Sequence, residues 1–152
     1  MRSYSWILVW AVLAAWSGGC RKHHQHLENS LQGYWELRSV STVTIAGLTR
    51  KDYPSGNGIM LRFNGSSYEA YANGQLLKRG LFRVEDLSET QKKNTCLTPD
   101  QQRMFPSRLV FNTDSEIGPF RILGDSLSIS SPCIFIDAAA LRVYKKISVA
   151  QN

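Results

Sequence analysis

Three histidines, His23, His24 and His26, are the only imidazole side chains in this chain of 152 residues, and they share one polar segment near the N-terminus. Histidine is the usual general base near neutral pH, so the rest of the sequence is poorly equipped for Ser-His-Asp or Cys-His catalysis. No cysteine or carboxylate stands at ligand spacing to complete a preorganised metal shell around the three histidines. We therefore expect neither a catalytic histidine nor a metal site.

The other reactive residues do not form a catalytic set either. Cys96 and Cys133 are too far apart in sequence for a Cys-x-x-Cys redox motif. Gly56 and Gly58 lack the lysine and the following helix of a phosphate-binding loop. Nothing in the sequence places two carboxylates opposite each other; the nearest candidates are Glu69, Glu85, Asp86 and Asp125. We expect no enzyme, no catalytic residues and no cofactor.

The first twenty residues have the layout of a bacterial secretory signal. Arg2 supplies the positive charge, Ile7 to Trp16 form an apolar run of about ten residues, and Gly18 and Gly19 offer a small-residue cleavage site before Cys20. The run is too short to span a bilayer in the usual way. An ordinary cleaved signal with an incidental cysteine, or an uncleaved single-helix anchor, are the alternatives to a specific role for Cys20.

A cysteine directly after small residues resembles the lipobox of bacterial lipoproteins, in which that cysteine is acylated and becomes the new N-terminus. The resemblance implies a signal peptide over residues 1–19 and a membrane anchor, with palmitate or a similar acyl chain, at Cys20. Because Arg21 and Lys22 follow instead of aspartate, it also implies the outer membrane, with the domain facing the periplasm. If Cys20 carries lipid in that oxidising compartment, Cys96 and Cys133 are the only possible disulfide pair, although two buried thiols remain an alternative.

Length and charge fit one exported domain. About 130 residues remain after Cys20, enough for one hydrophobic core. The net charge of +6 does not indicate nucleic acid, because an exported protein meets none of the cytoplasmic kind. The polar stretch over residues 20–30 lacks apolar periodicity, so we predict a flexible tether, followed by a folded domain over residues 31–148.

Short strands with glycine, asparagine and proline between them make up most of that domain. Asn64 with Gly65, and Asn73 with Gly74, lie between alternating segments and predict two hairpins with type I′ turns. Residues 85–107 are polar and predict a long connection with a short helix near 100–104. The total is eight or nine locally connected strands. We predict an all-β fold, a single antiparallel up-and-down barrel of about eight strands, with a two-sheet sandwich as the alternative.

The segment Leu31–Leu37, which contains Gly33-x-Trp35, resembles the opening strand of the lipocalins and the wider calycin barrels. The pattern from Tyr53 to Gly80 is similar to small lipocalin-like lipoproteins of bacteria. In that family an arginine from the last strand covers the first-strand tryptophan, so the resemblance implies a cation–π contact between Trp35 and Arg142, worth roughly 0.5–2 kcal/mol.

Two functions remain open at this point. The first is binding of one small apolar or amphiphilic ligand in the barrel interior. Besides Trp35, the residues expected to line that interior are Leu61, Phe63, Tyr71, Phe82 and Phe111. The second is an envelope protein-interaction module, such as an assembly factor or protease inhibitor, that acts through mouth loops at Leu48 to Gly58 and Glu85 to Ser107. Nucleic acid is not an expected partner.

Overall fold

The computed structural model describes residues 19–44, 47–90, 99–112, 117–131 and 139–148. Residues 1–18 of the expected signal segment, and the expected disulfide partners Cys96 and Cys133, lie outside the described residues. In chain order, the elements in these ranges are α1 (Gly19–Leu31), β1 (Gly33–Thr44), β2 (Gly47–Asp52), β3 (Met60–Asn64), β4 (Ser67–Ala72), β5 (Gln75–Asp86), α2 (Pro99–Met104), β6 (Ser107–Phe111), β7 (Ile117–Leu123), β8 (Ser126–Ser130) and β9 (Ala139–Ile147).

Eight of the strands close into an antiparallel barrel. Strands β3 to β9 pair with their sequence neighbours, and β9 returns to β1, which also pairs with β3. The prediction of an up-and-down barrel is therefore confirmed, and the sandwich is excluded. Strand β2 stands apart from this circuit because its pairing is with the second half of β1, from Ser39 to Thr44. The helix predicted near residues 100–104 is present as α2.

The two Asn-Gly sequences form different turns. Asn73 and Gly74 have φ angles of 51° and 74°, and they connect the paired residues Ala72 and Gln75, as a type I′ turn requires. Asn64 instead belongs to β3 and pairs with Ser67, so the turn residues are Gly65 and Ser66. Of these two, Gly65 alone has a positive φ, which is the type II′ pattern, and the predicted type I′ turn there is wrong.

Helix α1 covers one end of the barrel. Leu27 and Leu31, one helical turn apart, pack against the core, and the indole Nε1 of Trp35 donates a 2.6 Å hydrogen bond to the Leu31 carbonyl oxygen. His24 Nε2 lies 3.0 Å from Asp86 Oδ1 at the end of β5. The predicted irregular tether over residues 20–30 is therefore wrong, because contacts with the barrel stabilise a helix there. Neither helix in the described ranges has the length and apolar character needed to cross a bilayer.

The two ends of the barrel are distinguished below by position. The helix end is the one covered by α1, where β1 starts and β5 stops. The far end is the opposite one, where β1 stops and β3 and β5 start. The connection between β5 and β6, around residues 87–106, returns at the helix end.

Candidate functional site

The barrel interior can be assigned residue by residue from the register, because cross-strand partners share one face of the sheet. Trp35 is fully buried, and its partners Leu61 and Lys146 share the inner face. The buried inward side chains form one cluster, in which the rings of Phe63 and Phe82 meet edge to face at 4.9 Å. The strand residues of this buried core are Trp35, Leu37, Phe63, Tyr68, Phe82, Val84, Leu109, Phe120, Leu127, Ile129 and Tyr144.

Burial of the interior decreases toward the far end. Val40, Ile59 and Leu61 pack against the buried cluster, yet each is partly exposed to solvent. An inward-facing side chain on a closed barrel can be wetted only from the lumen, so solvent reaches the interior from the far end. Eight strands leave room for packed side chains or for one small ligand, and here the packed side chains are concentrated toward the helix end.

The predicted lining residues are divided between the two faces. Phe63 and Phe82 are buried in the core, Leu61 is a half-buried inward residue, and Phe111 packs on Tyr68 with ring centres 4.3 Å apart. Tyr71 is different: it lies on the outer face of β4, where its hydroxyl donates a 2.6 Å hydrogen bond to Glu69 Oε2. Its assignment to the lining is wrong, because it lies an odd number of residues from the inward Tyr68.

The cation that covers Trp35 is Lys146 and not Arg142. Lys146 Nζ lies 5.2 Å from the Trp35 ring centre and donates to the Ser30 carbonyl oxygen at 3.3 Å. Gly33 permits this arrangement, because its φ is +113° and an added Cβ would lie 3.2 Å from Lys146 Cε. The expected Trp35–Arg142 contact is therefore wrong: Arg142 lies four residues earlier on β9, about 13 Å along the strand.

Two other basic residues share the inner face. Arg142 is opposite Val40 on β1 and Ile129 on β8, and it lies two residues from the buried Tyr144. Lys78 is opposite Ala70, which is in turn opposite Leu61. Both cationic side chains are half-buried. The far half of the interior is thus apolar with positive charge at its wall.

The candidate acid–base carboxylates are spread over the outside of the barrel and engaged in ion pairs. Glu69 accepts from Arg62 at 3.1 Å, and Asp125 accepts from Lys145 at 2.5 Å. The hydrogen bond from Tyr71, and then the contact with Arg62, hold the pKa of Glu69 below its ordinary value. The pKa of Tyr71 is raised in return, mainly by its hydrogen bond to Glu69.

A second outer carboxylate is held by two arginines. Glu85 is paired with Arg83 at 2.6 Å and with Arg108 across the β5–β6 ladder. The hydrogen bond from Arg83, followed by that from Arg108, lowers the pKa of Glu85. These groups stabilise the sheet surface, and none of them is paired with a second carboxylate in the geometry of an acid–base site.

One buried carboxylate escaped the sequence reasoning. Glu36 is 3% exposed, and it accepts from the Gly56 backbone N–H at 2.7 Å and from Arg38 Nη2 at 2.8 Å. Asn57 completes the attachment by donating from Nδ2 to the Leu37 carbonyl oxygen at 2.8 Å. These bonds fix the loop of residues 53–59 against the outside of β1. Strand alternation alone places Glu36 in solvent, so its burial could be found only with the loop in place.

A shallow groove on the outer surface is the other concave feature in the described part of the chain. It has a volume of about 250 Å³ and lies where β4 begins and β6 ends. Its lining residues are Ser66, Leu81, Phe82, Arg83, Val110 and Asn112. Pockets for drug-sized ligands start near 300 Å³ and bury most of the ligand, so this open groove is a weaker candidate than the interior.

The fold and the interior define the class of protein: a closed eight-stranded antiparallel β-barrel, compatible with the lipocalin-like architecture. No family model, no curated protein and no solved structure matches the chain. Among the described residues, no group of three or more His, Cys, Asp or Glu side chains could hold a metal ion.

Proposed function

We propose that this protein is a lipid-anchored barrel of the bacterial cell envelope that binds one small apolar or amphiphilic molecule in its interior. The observation that carries the binding proposal is the partial exposure of inward-facing Val40, Ile59 and Leu61 at the far end, above a packed core. Apolar side chains that line a wetted concavity favour an apolar ligand, because its binding removes that surface from water.

The anchoring part of the proposal is supported by the leader. The apolar run, the glycines and Cys20 fit a lipoprotein signal, and two acyl chains exceed the single chain that gives only marginal membrane binding. The absence of aspartate after Cys20 favours the outer membrane, with the barrel in the periplasm. In this arrangement the helix end lies next to the anchor and the far end opens away from it.

Binding can be tested with an uncharged fluorescent probe, N-phenyl-1-naphthylamine. In the full chain with Trp6, Trp10 and Trp16 replaced by phenylalanine, Trp35 is the only tryptophan. Energy transfer from the buried Trp35 then reports probe inside the barrel and not probe dissolved in the lipid of a nanodisc. We expect saturable transfer at one probe per protein.

A blocking variant makes the test specific to the interior. Ala70→Trp places a large side chain on the inner face opposite Leu61, although it adds a second tryptophan, so Ala70→Phe is the variant to use. Thr49→Phe on the exposed strand β2 is the matched control. Loss of transfer in Ala70→Phe alone supports the proposal, whereas equal transfer in all three proteins contradicts it.

The second candidate function, an envelope protein-interaction module, is favoured by one observation. All six residues of β2 are exposed, and Val43 and Leu48, which face each other across the hairpin, are 52% and 71% exposed. The two loops proposed to act together do not share one mouth, however. Leu48 to Gly58 lies toward the far end, while Glu85 to Ser107 connects strands at the helix end, so that part of the prediction is wrong.

Photo-crosslinking distinguishes this function from ligand binding. A benzoylphenylalanine at Leu48 should crosslink one defined envelope protein if the hairpin is an interface. The same residue at Leu123, which is 68% exposed in the turn region at the helix end, is the control. Identical crosslinks from both positions would indicate chance collisions and argue against the module.

A further inference from the structure

The orientation of Arg142 is fixed by its strand. Tyr144 is buried in the core and Lys146 covers Trp35, so both side chains of β9 point inward. Arg142 precedes them at the same two-residue period, and the β8–β9 register is regular from Ser126 to Ser130. Its side chain therefore shares the inner face, nearer to the far end than either Tyr144 or Lys146.

The surroundings of Arg142 are apolar. Its cross-strand partners are Val40 and Ile129, and no hydrogen bond or ion pair joins Arg142 to another residue in the part of the chain that the structure describes. Other arginines on the sheet differ in this respect: Arg38 is paired with Glu36, and Arg62 with Glu69. A half-buried guanidinium beside aliphatic side chains retains unused donors directed into the wetted half of the interior.

We propose that Arg142 binds the acidic head of a single-chain amphiphile, such as a carboxylate or phosphate monoester, whose tail lies along Val40, Ile59 and Leu61. This inference rests on the proposed interior binding site and adds the class of its ligand. The planar guanidinium fork matches both acids in a bidentate geometry. The packed core toward the helix end restricts the tail to the far half of the barrel, so the ligand has one short chain.

The experiment uses three competitors with the same twelve-carbon chain: dodecanoate, dodecyl phosphate and dodecanol. Each displaces the uncharged naphthylamine probe from the full chain in nanodiscs, read by energy transfer from Trp35 as above. The protein is compared with Arg142→Gln, with Arg142→Lys, and with Lys145→Gln. Lys145 is the matched control, because it carries the same charge on the outer face of the same strand.

With Arg142 present, we expect at least one of the two acids to displace the probe at about tenfold lower concentration than the alcohol. Arg142→Gln should remove that preference and leave the alcohol unchanged, Arg142→Lys should retain part of it, and Lys145→Gln should retain it fully. The stronger acid identifies the head group. Continued binding of the neutral probe shows that Arg142→Gln is folded.

Two results would separate the claims. If the alcohol and both acids compete equally in every variant, the interior binds ligand but the role of Arg142 is wrong. If no competitor displaces the probe, or the probe does not bind, the proposed binding function itself fails. An acid preference that Lys145→Gln weakens as much as Arg142→Gln would also overturn the inference, because it would reflect overall charge alone.

Discussion

Replacing Glu36 with alanine should destabilise the barrel far more than its position on an outward strand face suggests. Glu36 accepts from the Gly56 N–H at 2.7 Å and pairs with Arg38 at 2.8 Å, while being 3% exposed. A hydrogen bond to a charged group contributes roughly 1.5–3 kcal/mol, and breaking a fully buried ion pair costs about 3–5 kcal/mol. The Arg38 side chain is 25% exposed and recovers part of its solvation. We expect a loss of about 2–4 kcal/mol for Glu36→Ala.

Glu36→Gln separates the two interactions. A glutamine oxygen can still accept from Gly56, so the loss should be about 1–2 kcal/mol and should reflect the ion pair with Arg38. The assay is urea unfolding of the full chain in nanodiscs, followed by the circular dichroism of the β-sheet. Asp52→Asn is the control, because the Arg50–Asp52 pair is largely exposed and should contribute nothing measurable.

The account of the loop would be refuted if Glu36→Ala unfolded at the same urea concentration as Asp52→Asn. The loop of residues 53–59 would then stay in place without its carboxylate. A loss in Glu36→Gln equal to that in Glu36→Ala would refute only the division between the two bonds, since it would assign the whole effect to the charge.

Three further predictions concern the barrel and its anchor. Gly33→Ala should cost about 1–3 kcal/mol in urea unfolding, because φ is +113° and the new Cβ would crowd Lys146. The pKa of Glu69 is lowered in the fold, so its contribution to stability is present above the ordinary carboxyl pKa and is lost as pH falls through the folded value. The difference in unfolding free energy between the protein and Glu69→Gln should therefore shrink as pH falls below about 4, and a difference that grows would contradict this sign. Mass spectrometry of the mature N-terminus should find an acylated Cys20, and an unmodified start at another residue would exclude the lipid anchor.

Local rules predicted the strands and their order well. Alternation and turn residues are short-range signals, and the Asn73–Gly74 turn follows directly from the two positive φ angles that its geometry needs. The same alternation could have placed Tyr71 correctly, because it shares a parity with Glu69 and not with Tyr68. That error came from treating an aromatic residue as interior without counting its position.

Other features depend on contacts that no local pattern contains. Helix α1 has a polar sequence and is stabilised where Leu27 and Leu31 meet the barrel, which only the closed fold provides. The choice between Arg142 and Lys146 as the cation over Trp35 depends on the β1–β9 register, including the irregularity between Leu37 and Ser39. A shift of register along one strand changes which inward residue reaches a given level of the barrel.

Native mass spectrometry of the protein extracted from its own envelope tests the central claim most directly, because the ligand is whatever the cell supplies. We predict a complex of one protein with one small amphiphile that dissociates on collisional activation, and its loss in Ala70→Phe but not in Thr49→Phe. A protein that carries no small molecule in its native state, or one that carries it equally in Ala70→Phe, would contradict a ligand site inside the barrel.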